Sequence, residues 1–397
     1  MKRRHLLARL AALAAAVPPA RASEPTRDLA PDQPRFATVE RGVPLAFPRD
    51  FGAHPALRTE WWYITGWLDA RAAGAPATLP LGFQITFFRS RPRIDPRNPS
   101  RFAARQLVLA HIALSDPARA TLAHAERSAR EGFGLAGARE GDTDVWIDDW
   151  RLRRSGPVDA SRYEVRFPGS SLGFDLQLAA TQPLLLNGEA GFSQKGPAPR
   201  QASHYYTQPQ LVVSGHVVHE ARQLAVRGRA WFDHEWSSEI LAAGAVGWDW
   251  AGLNLDDGSA LMLFRIRDRD GSAIWAGGTF RPAGATAVSF GPRAVIFTPL
   301  RQWRSARTGA RYPVAMRVTV NTSEERRSAT GAGNHTPLAF DLLPLFDDQE
   351  LDARASTGIV YWEGAVRVHR AEAGGPSAAP VGAGYLELTG YQRALSL

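Results

Sequence analysis

Short runs of alternating apolar and polar residues are the feature of this sequence that most constrains its fold. They begin near residue 58 and are separated by glycine, proline, aspartate or serine. Alternation with period two places successive side chains on opposite faces of a strand, and many short strands between turn residues are typical of sandwiches and barrels. The sequence therefore predicts an all-β protein with strands at 58–69, 81–89, 106–115, 143–153, 162–167, 172–179, 210–219, 223–236, 247–255, 260–267, 273–280, 294–298, 314–320, 338–342, 358–368 and 384–388.

Turn and helix signals refine this pattern. Asp257-Gly258 and Asp270-Gly271 each lie between two alternating runs and predict hairpin turns. Helical periodicity is weak, and its best candidate is the segment 117–130.

Chain length and strand number indicate two domains. The 397 residues provide enough apolar material for two cores. About eight or nine predicted strands lie on each side of residue 230, as expected for two antiparallel barrels. We therefore expect an extended lead-in at 23–48, an N-terminal barrel at 49–230 and a C-terminal barrel at 231–397.

The first 22 residues have the pattern of a secretory signal. A basic start is followed by an apolar run and by Ala20-Arg21-Ala22, the small-residue pattern of a cleavage site. Arg3-Arg4 also fits a twin-arginine signal, and the general and twin-arginine routes both stay open. We expect a periplasmic or secreted protein without an integral membrane segment after cleavage, since no later apolar run is long enough to span a bilayer.

Composition excludes several classes of function. The chain has no cysteine, which excludes disulfides, zinc–thiolate sites, iron–sulfur clusters and a thiol nucleophile. Removal of residues 1–22 takes away five basic residues and no acid, which lowers the net charge from +8 to about +3. That charge is too small for a nucleic-acid-binding surface. We expect no nucleic acid partner, no cofactor and no metal.

Aromatic residues cluster with histidine and acidic residues in several motifs. These are 54–66 (HPALRTEWWYITG), 82–89 (GFQITFFR), 110–116 (AHIALSD), 205–209 (YYTQP), 230–238 (AWFDHEWSS), 247–250 (GWDW), 361–366 (YWEGAV) and 384–391 (GYLELTGY). Together they resemble the AttH/CrtC-like family, secreted lipocalin-like proteins that include the carotenoid 1,2-hydratases and carry the description "predicted secreted hydrolase". The resemblance runs from about residue 50 to the C-terminus and implies two tandem lipocalin-like barrels packed together.

Strand alternation divides the motif residues between two faces. Trp61 and Tyr63 share one face of the first motif strand, and Glu60 lies on the other. Clustering of aromatic and polar groups fits a cavity for a large apolar ligand. The candidate ligand-binding residues are Glu60, Trp61, Tyr63, Gln84, His111, Glu235, Trp248 and Trp250. Two alternatives remain open: the aromatic rings fill a small barrel, and Arg58–Glu60 or Arg229–Asp233 are structural ion pairs.

The central motif also offers groups for acid catalysis. Addition of water to an isolated C=C bond needs a proton donor in apolar surroundings and aromatic faces near the developing cation. Asp233, His234 and Trp236 supply these groups. The resemblance implies that His234 and Trp236 form the His-x-Trp pair of the hydratase branch. That branch also uses a tyrosine and an aspartate on a following strand, where this sequence has Leu-Met-Leu-Phe-Arg at 261–265.

Two further motifs resemble a serine-hydrolase site and a metal site, but the predicted strands around them argue against both. The segment 169–173 matches G-x-S-x-G, but strands are predicted on both sides of it, whereas a nucleophile elbow needs a following helix. His216 and His219 are three residues apart on a predicted strand, which places them on opposite faces and excludes a shared metal ion.

Two hypotheses of function follow. The missing tyrosine and aspartate and the signal sequence favour an exported carrier that binds a lipid or isoprenoid, with an ABC-type transporter as a candidate neighbour. The alternative is a hydro-lyase that resembles carotenoid 1,2-hydratase. A serine hydrolase is disfavoured, because no nucleophile, base and orienting residue come together.

Overall fold

The computed structural model describes residues 36–71, 78–95, 97–321 and 337–395, which are almost entirely strands and turns. The predicted signal peptide at 1–22 and most of the lead-in lie outside the described residues. Among the described residues, no helix is both long and apolar enough to cross a membrane. Two short 3-10 turns, Arg49–Phe51 and Val158–Ala160, are the helical elements in this part of the chain.

The first sheet contains 13 strands and comes from the first part of the chain. Its strands are β1 (Thr59–Arg71), β2 (Leu79–Ser90), β3 (Leu107–Asp116), β4 (Thr121–Arg130), β5 (Ala136–Ala138), β6 (Asp144–Ile147), β7 (Trp150–Ser155), β8 (Arg162–Phe167), β9 (Leu172–Ala179), β10 (Leu185–Leu186), β11 (Phe192–Gln194), β12 (Ala202–His219) and β13 (Arg222–Glu239). They follow the order β4-β3-β2-β1-β13-β12-β9-β8-β7-β6-β5 and form a nearly closed antiparallel barrel, with β10 and β11 paired to β12.

The second sheet contains 11 strands. Its strands are β14 (Gly247–Leu255), β15 (Ala260–Arg267), β16 (Ala273–Arg281), β17 (Val288–Phe290), β18 (Val295–Arg304), β19 (Arg311–Val320), β20 (Leu338–Pro344), β21 (Glu350–Ala353), β22 (Ile359–Glu372), β23 (Gly375–Pro376) and β24 (Gly382–Leu388). The order β17-β16-β15-β14-β24-β22-β20-β19-β18 describes a half-barrel, with β21 and β23 paired to β22. The all-β class and the tandem lipocalin-like arrangement are therefore confirmed, although the second unit is more open than a closed barrel.

Two details of the predicted secondary structure are wrong. The helix candidate at 117–130 contains β4, whose residues pair one by one with β3 from Thr121 to Arg130, because the ladder offered by β3 overrides the weak local preference. The predicted strand at 143–153 is two strands, β6 and β7, which turn back at Asp148 with a positive φ of 53°. The hairpin turns at Asp257-Gly258 and Asp270-Gly271 are confirmed.

The division between the two sheets lies later than residue 230. That residue is in the middle of β13, which pairs with β1 on one side and β12 on the other. The second sheet begins at Gly247, so the change of sheet falls in the segment 240–246. The alternating sequence pattern does not mark residue 230 as the interior of a strand rather than a boundary, because the pattern continues without interruption through β13.

The two faces of β1 and β13 contribute to different cores. Trp62 and Phe232 point into the first barrel, where they join a large buried cluster of its own side chains. Tyr63 and Trp231 point the other way and pack against residues of the second sheet such as Trp250. This alternation confirms the predicted faces. We call the contact between the two sheets the seam; it is lined by Tyr63, Trp67, Tyr205 and Trp231 from the first sheet and by Trp250, Phe264 and Tyr385 from the second.

Candidate functional site

Two clusters of buried titratable side chains lie on opposite faces of β13. The barrel cluster is inside the first barrel and consists of His54, Glu60, Arg89, Tyr206, His234 and Trp236. The seam cluster lies between the sheets and consists of Asp233, Glu235, Glu363 and Glu387 with the tyrosines and tryptophans around them. Because neighbouring residues of a strand alternate in direction, His234 belongs to the first cluster and Asp233 and Glu235 to the second.

Glu60 is the centre of the barrel cluster. Its Oε1 accepts hydrogen bonds from His54 Nδ1 at 2.7 Å and His234 Nε2 at 2.9 Å. Its Oε2 accepts from Arg89 Nε at 2.7 Å and from the backbone N–H of His54 at 2.9 Å. The carboxylate is fully buried, and four donors together satisfy its lone pairs, as a buried charge requires.

The two histidines of this cluster differ in charge. Burial lowers the pKa of His234 to about 4, although Glu60 opposes the shift, so its ring is neutral at pH 7. The pKa of His54 is raised, because Asp50 and Glu60 together outweigh the effect of its burial. Burial alone would raise the pKa of Glu60, but hydrogen bonds from His234 and His54 and the charges of His54 and Arg89 hold it well below its usual range.

Aromatic rings fix the orientation of both imidazoles. The ring of His54 stacks on Trp236 with centroids 3.8 Å apart and planes inclined by 7°. The ring of His234 stacks on Trp62 at 4.8 Å, and its Nδ1 accepts a hydrogen bond from the Tyr206 hydroxyl at 3.1 Å. Both nitrogens of His234 therefore have partners, and neither is directed at an open space.

His54, Glu60 and His234 also have the donor set of a metal site. Their three ligand-type atoms lie within 4.8 Å of one another, and two histidines with one glutamate is a known zinc combination. However, the two nitrogens contact the carboxylate at hydrogen-bond distances, and Arg89 already neutralises it. The geometry therefore fits a hydrogen-bonded network better than a metal centre.

Strand register assembles the acids of the seam. Tyr63 and Asp233 are cross-strand partners on β1 and β13. In the second sheet, Trp250, Glu387 and Glu363 form one row across β14, β24 and β22. Because cross-strand partners point to the same face, each row presents its side chains together, and the ring of Tyr63 meets Trp250 edge to face at 5.2 Å.

Asp233 is surrounded by neutral hydrogen-bond donors. Its carboxyl group contacts the Tyr205 hydroxyl at 2.8 Å, the Thr207 hydroxyl at 2.5 Å and the Trp231 indole N–H at 2.9 Å. Burial raises its pKa to about 7, with a further contribution from the charge of Glu235, and the three donors oppose the shift only in part. Asp233 therefore holds a proton for a substantial fraction of the time at neutral pH.

Glu235, unlike Asp233, has a cationic partner among the described residues. Lys195 Nζ lies 2.9 Å from its Oε1, and the Ser203 hydroxyl donates to the same oxygen. The ammonium group of Lys195 also lies 4.0 Å from the centre of the Phe264 ring, a favourable cation–π position.

Glu363 and Glu387 have raised pKa values, because hydrogen bonds from Tyr63 and Tyr361 to Glu363 and from Trp248 to Glu387 oppose the shifts only in part. Burial raises the pKa of Glu387 to about 8, and the nearby acids Glu235, Asp233 and Asp249 add to this. Burial and the charge of Glu387 raise the pKa of Glu363 well above its usual range. Both glutamates therefore hold a proton more tightly than exposed glutamates do, in apolar and aromatic surroundings.

Four buried polar atoms of the seam make no hydrogen bond of normal geometry among the described residues, although the Tyr63 hydroxyl lies beside Glu363 and the Ser115 hydroxyl beside that of Tyr385. They are Tyr63 Oη, Gln84 Oε1, Ser115 Oγ and Glu363 Oε1. Register places Gln84 opposite Thr65 and Ser115 opposite Gly82, on the face that meets the second sheet. Buried polar atoms without a good partner are uncommon, and others of this kind lie inside the first barrel, such as Trp62 Nε1 and Trp150 Nε1.

The other predicted ligand-binding residues line the seam beside the acids, and Trp248 hydrogen-bonds to Glu387. His111 connects the sheets through the Tyr361 hydroxyl at 2.9 Å and the Ser356 hydroxyl at 2.7 Å, and burial lowers its pKa to about 3. Trp61 and Trp248 are half-buried beside the seam residues. The three predicted catalytic residues are not brought together, since Asp233 faces the seam while His234 and Trp236 face the barrel.

Sequence reasoning did not select several residues of the seam. Glu363 and Glu387 lie within quoted motifs, each as an acid between apolar neighbours of an alternating strand. That pattern could have marked them as buried acids. Lys195 is one of two lysines in the chain, but nothing in its local sequence indicates that it is buried.

The two best-defined cavities of the described residues are not inside the first barrel. One of about 40 Å³ lies at the seam and is lined by Thr65, Gly66, Trp67, Arg229, Trp231, Asn254, Asp256, Ala383, Gly384 and Tyr385. The other, of about 390 Å³, is a surface hollow lined by Asp148, Asp149, Arg151, Arg153, Glu164 and Arg166. The smaller cavity thus lies between the two sheets, and its lining includes neither the acids of the seam cluster nor the four polar atoms named above.

Comparison with known proteins agrees with this architecture. The family model described as AttH-like matches residues 38–391. A crystal structure assigned to AttH from Nitrosomonas europaea is 48% identical, with 90% of this chain and 100% of that chain covered and a TM-score of 0.77. Comparison with curated protein sequences gives no match.

More distant structures share the fold. Kievitone hydratase from Nectria haematococca is 15% identical, with 91% of this chain and 98% of that chain covered and a TM-score of 0.62. CghA with Sch210972 is 12% identical, with 84% and 89% covered and a TM-score of 0.52. At these identities the likeness concerns the fold alone.

Proposed function

This chain belongs to the AttH-like family, and we propose that it is a hydro-lyase acting on a carbon–carbon double bond of an apolar, isoprenoid-like substrate bound at the seam. The observation that carries the proposal is the cross-strand pair of carboxyl groups with raised pKa values, Glu363 and Glu387, among the aromatic rings of the seam. An acid of this kind in a low-dielectric, aromatic environment is what protonation of an alkene requires.

Hydration of the alkene needs only a water molecule and Glu363, which donates a proton and later receives one. The O–H bond of Glu363 breaks, and its proton forms a C–H bond with the π electrons of the alkene, which leaves a cation on the second carbon. A water molecule adds its oxygen to that carbon and loses a proton, which returns to the carboxylate. In this proposal the rings of Tyr63 and Trp250, which meet at the seam, stabilise the cation. The reverse sequence removes water.

The barrel cluster has a positioning role in this proposal. His234 is neutral and both its nitrogens are engaged, so it is poorly suited to donate a proton. It instead fixes β13, which carries Asp233 on its other face. The His234–Trp236 pair that the family resemblance implies would then act through the position of this strand, not through contact with substrate.

Two further considerations support the proposal. Kievitone hydratase is by its name a hydratase, and it has the same fold. The first barrel is filled by its own side chains, which favours the seam over the barrel interior as the place for an apolar ligand. Export through the N-terminal signal remains part of the proposal and rests on the sequence pattern of residues 1–22.

The test is turnover of a defined probe in labelled water. Purified protein is incubated with farnesol, dispersed in detergent, in water enriched in oxygen-18, and the products are analysed by mass spectrometry. We expect a hydrated product that carries the heavy oxygen. Glu363→Gln, which keeps the shape of the side chain but lacks the acidic proton, should lower the rate by about a hundredfold or more.

The controls separate catalysis from binding. Glu164→Gln, on the exposed face of β8, should leave the rate unchanged. Quenching of tryptophan fluorescence by the probe reports binding independently of turnover. Binding without turnover in the wild-type protein would overturn the hydro-lyase and favour the carrier, and full activity in Glu363→Gln would remove the seam acid from the mechanism.

A further inference from the structure

One corner of the first barrel exposes three large apolar side chains. Phe102, Phe133 and Leu135 are 69%, 57% and 60% exposed. The two phenylalanine rings stack on each other with centroids 5.6 Å apart. We call these three residues the aromatic knob. Single exposed apolar residues are ordinary, but a contiguous group at one corner marks a surface for interaction.

The backbone holds the knob in an exposed position. Phe133 has a φ of +56°, between Gly132 at +129° and Gly134 at +75°, and a bulky residue rarely adopts this left-handed conformation. The turn is closed by a hydrogen bond from the Leu135 N–H to the Gly132 carbonyl at 3.1 Å. The Trp146 indole N–H also donates to the Gly134 carbonyl at 3.0 Å. The ring is thus directed outward by a fixed turn.

The surroundings of the knob are basic. Between residues 91 and 105 the chain has five arginines and one aspartate. The guanidinium group of Arg130 lies 5.0 Å from the centre of the Phe102 ring and 4.9 Å from that of Phe133. Arg101 and Arg105 flank Phe102 in the chain and are exposed. This excess of positive charge favours an anionic partner. The exposed aromatic rings also favour a partner with an apolar layer next to its anionic groups.

We propose that the aromatic knob docks this protein on the surface of an anionic lipid bilayer. Aromatic rings favour the boundary between headgroups and acyl chains, and arginines near that boundary are attracted by anionic headgroups. This surface is separate from the seam, so the proposal does not depend on the proposed reaction. Docking would bring the protein to the phase in which apolar ligands are dissolved.

The test is co-sedimentation with lipid vesicles of defined composition. The full chain without residues 1–22 is mixed with vesicles of phosphatidylcholine alone, or of phosphatidylcholine with about one third phosphatidylglycerol. We expect binding to the anionic vesicles at least tenfold stronger than to the neutral ones, and weaker at high salt. Phe102→Ser with Phe133→Asn should reduce binding about tenfold or more; asparagine suits the left-handed turn, so folding is preserved.

Two matched variants complete the experiment. Leu300→Ser removes an apolar side chain that is 44% exposed on the second sheet and should leave vesicle binding unchanged. Arg101→Gln with Arg105→Gln keeps the knob and should weaken binding about fivefold for each charge. Equal binding to both vesicle types, no binding to either, or binding unaffected by the double knob variant would each overturn the proposal. A protein complex that depends on the knob, without vesicle binding, would assign the surface to a protein partner instead.

Discussion

Glu363 and Glu387 are direct cross-strand partners on β22 and β24, so two carboxyl groups, one buried and one partly buried, point side by side into the seam. Like charges directly opposite each other in a sheet are destabilising, and burial adds the cost of desolvation. The pair is therefore stable when protons are bound and becomes strained as they leave, which makes pH a direct probe of the seam.

Replacement of Glu387 should change the pH dependence of stability. Its pKa is raised from 4.5 to about 8 in the folded protein, so the folded state binds the proton more tightly than the unfolded one. This contribution is complete below pH 4.5 and is lost as pH rises through 8. Glu387→Gln should therefore flatten the fall in melting temperature between pH 5 and 8 by about 10 °C, since a pKa difference of this size corresponds to about 4 kcal/mol over that range. Parallel curves of melting temperature against pH for the wild type and the variant would contradict this prediction.

Replacement of Glu60 should destabilise the first barrel. In Glu60→Gln, the buried guanidinium of Arg89 loses its counter-charge, and one half of a buried ion pair left alone costs about 3–5 kcal/mol. Urea unfolding followed by tryptophan fluorescence measures the change. Glu164→Gln, on an exposed strand position, should stay within about 0.5 kcal/mol of wild type. A neutral effect of Glu60→Gln would mean that Arg89 finds other partners.

The two histidines that contact Glu60 should titrate on opposite sides of the normal value. His54 has a raised pKa and His234 a pKa lowered to about 4. Nuclear magnetic resonance of protein labelled at histidine can follow both rings, assigned with His54→Gln and His234→Gln variants. We expect His54 to remain protonated above pH 6.5 and His234 to remain neutral down to about pH 4. A His234 signal that titrates near pH 6.5 would show that its ring is not desolvated.

Gly82 permits the close approach of the two sheets. A Cβ atom at this position would lie 2.5 Å from the Cβ of Ala365 and 2.9 Å from the Tyr385 hydroxyl, both in the second sheet. Gly82→Val should therefore force the seam apart, at about 1–3 kcal/mol, and expose the segment 240–246 to protease. Gly374→Ala, where no atom lies within 4 Å, is the control and should cleave like wild type. An unchanged cleavage rate in Gly82→Val would contradict tight sheet docking.

The local sequence pattern was sufficient to predict the positions of many strands but not which strands pack against each other. Alternation identified β8, β9, β14 and β15 with the observed bounds, and it assigned Glu60 and Tyr63 to opposite faces of β1. The segment that forms β4 escaped it, because alanines and arginines make that strand neither clearly apolar nor clearly alternating.

The candidate site depends on contacts that no single strand reveals. Glu363 meets Glu387 through the register of β22 with β24, and Tyr63 meets Trp250 only after two sheets have docked. Asp233, His234 and Trp236 are close in the chain, which suggested one site. The pleat of β13 separates them into two, and this separation follows from the same period that predicted the strand.

One strand, β13, separates an imidazole–carboxylate network on one face from the acids of the seam cluster on the other. A shift of its register by a single residue would exchange the two sides. Substitutions that alter the side chains on one face of β13 must therefore preserve the register of this strand, or they also disturb the other face. The barrel cluster and the seam cluster are thus constrained together by the register of β13, although they lie on opposite faces of the strand.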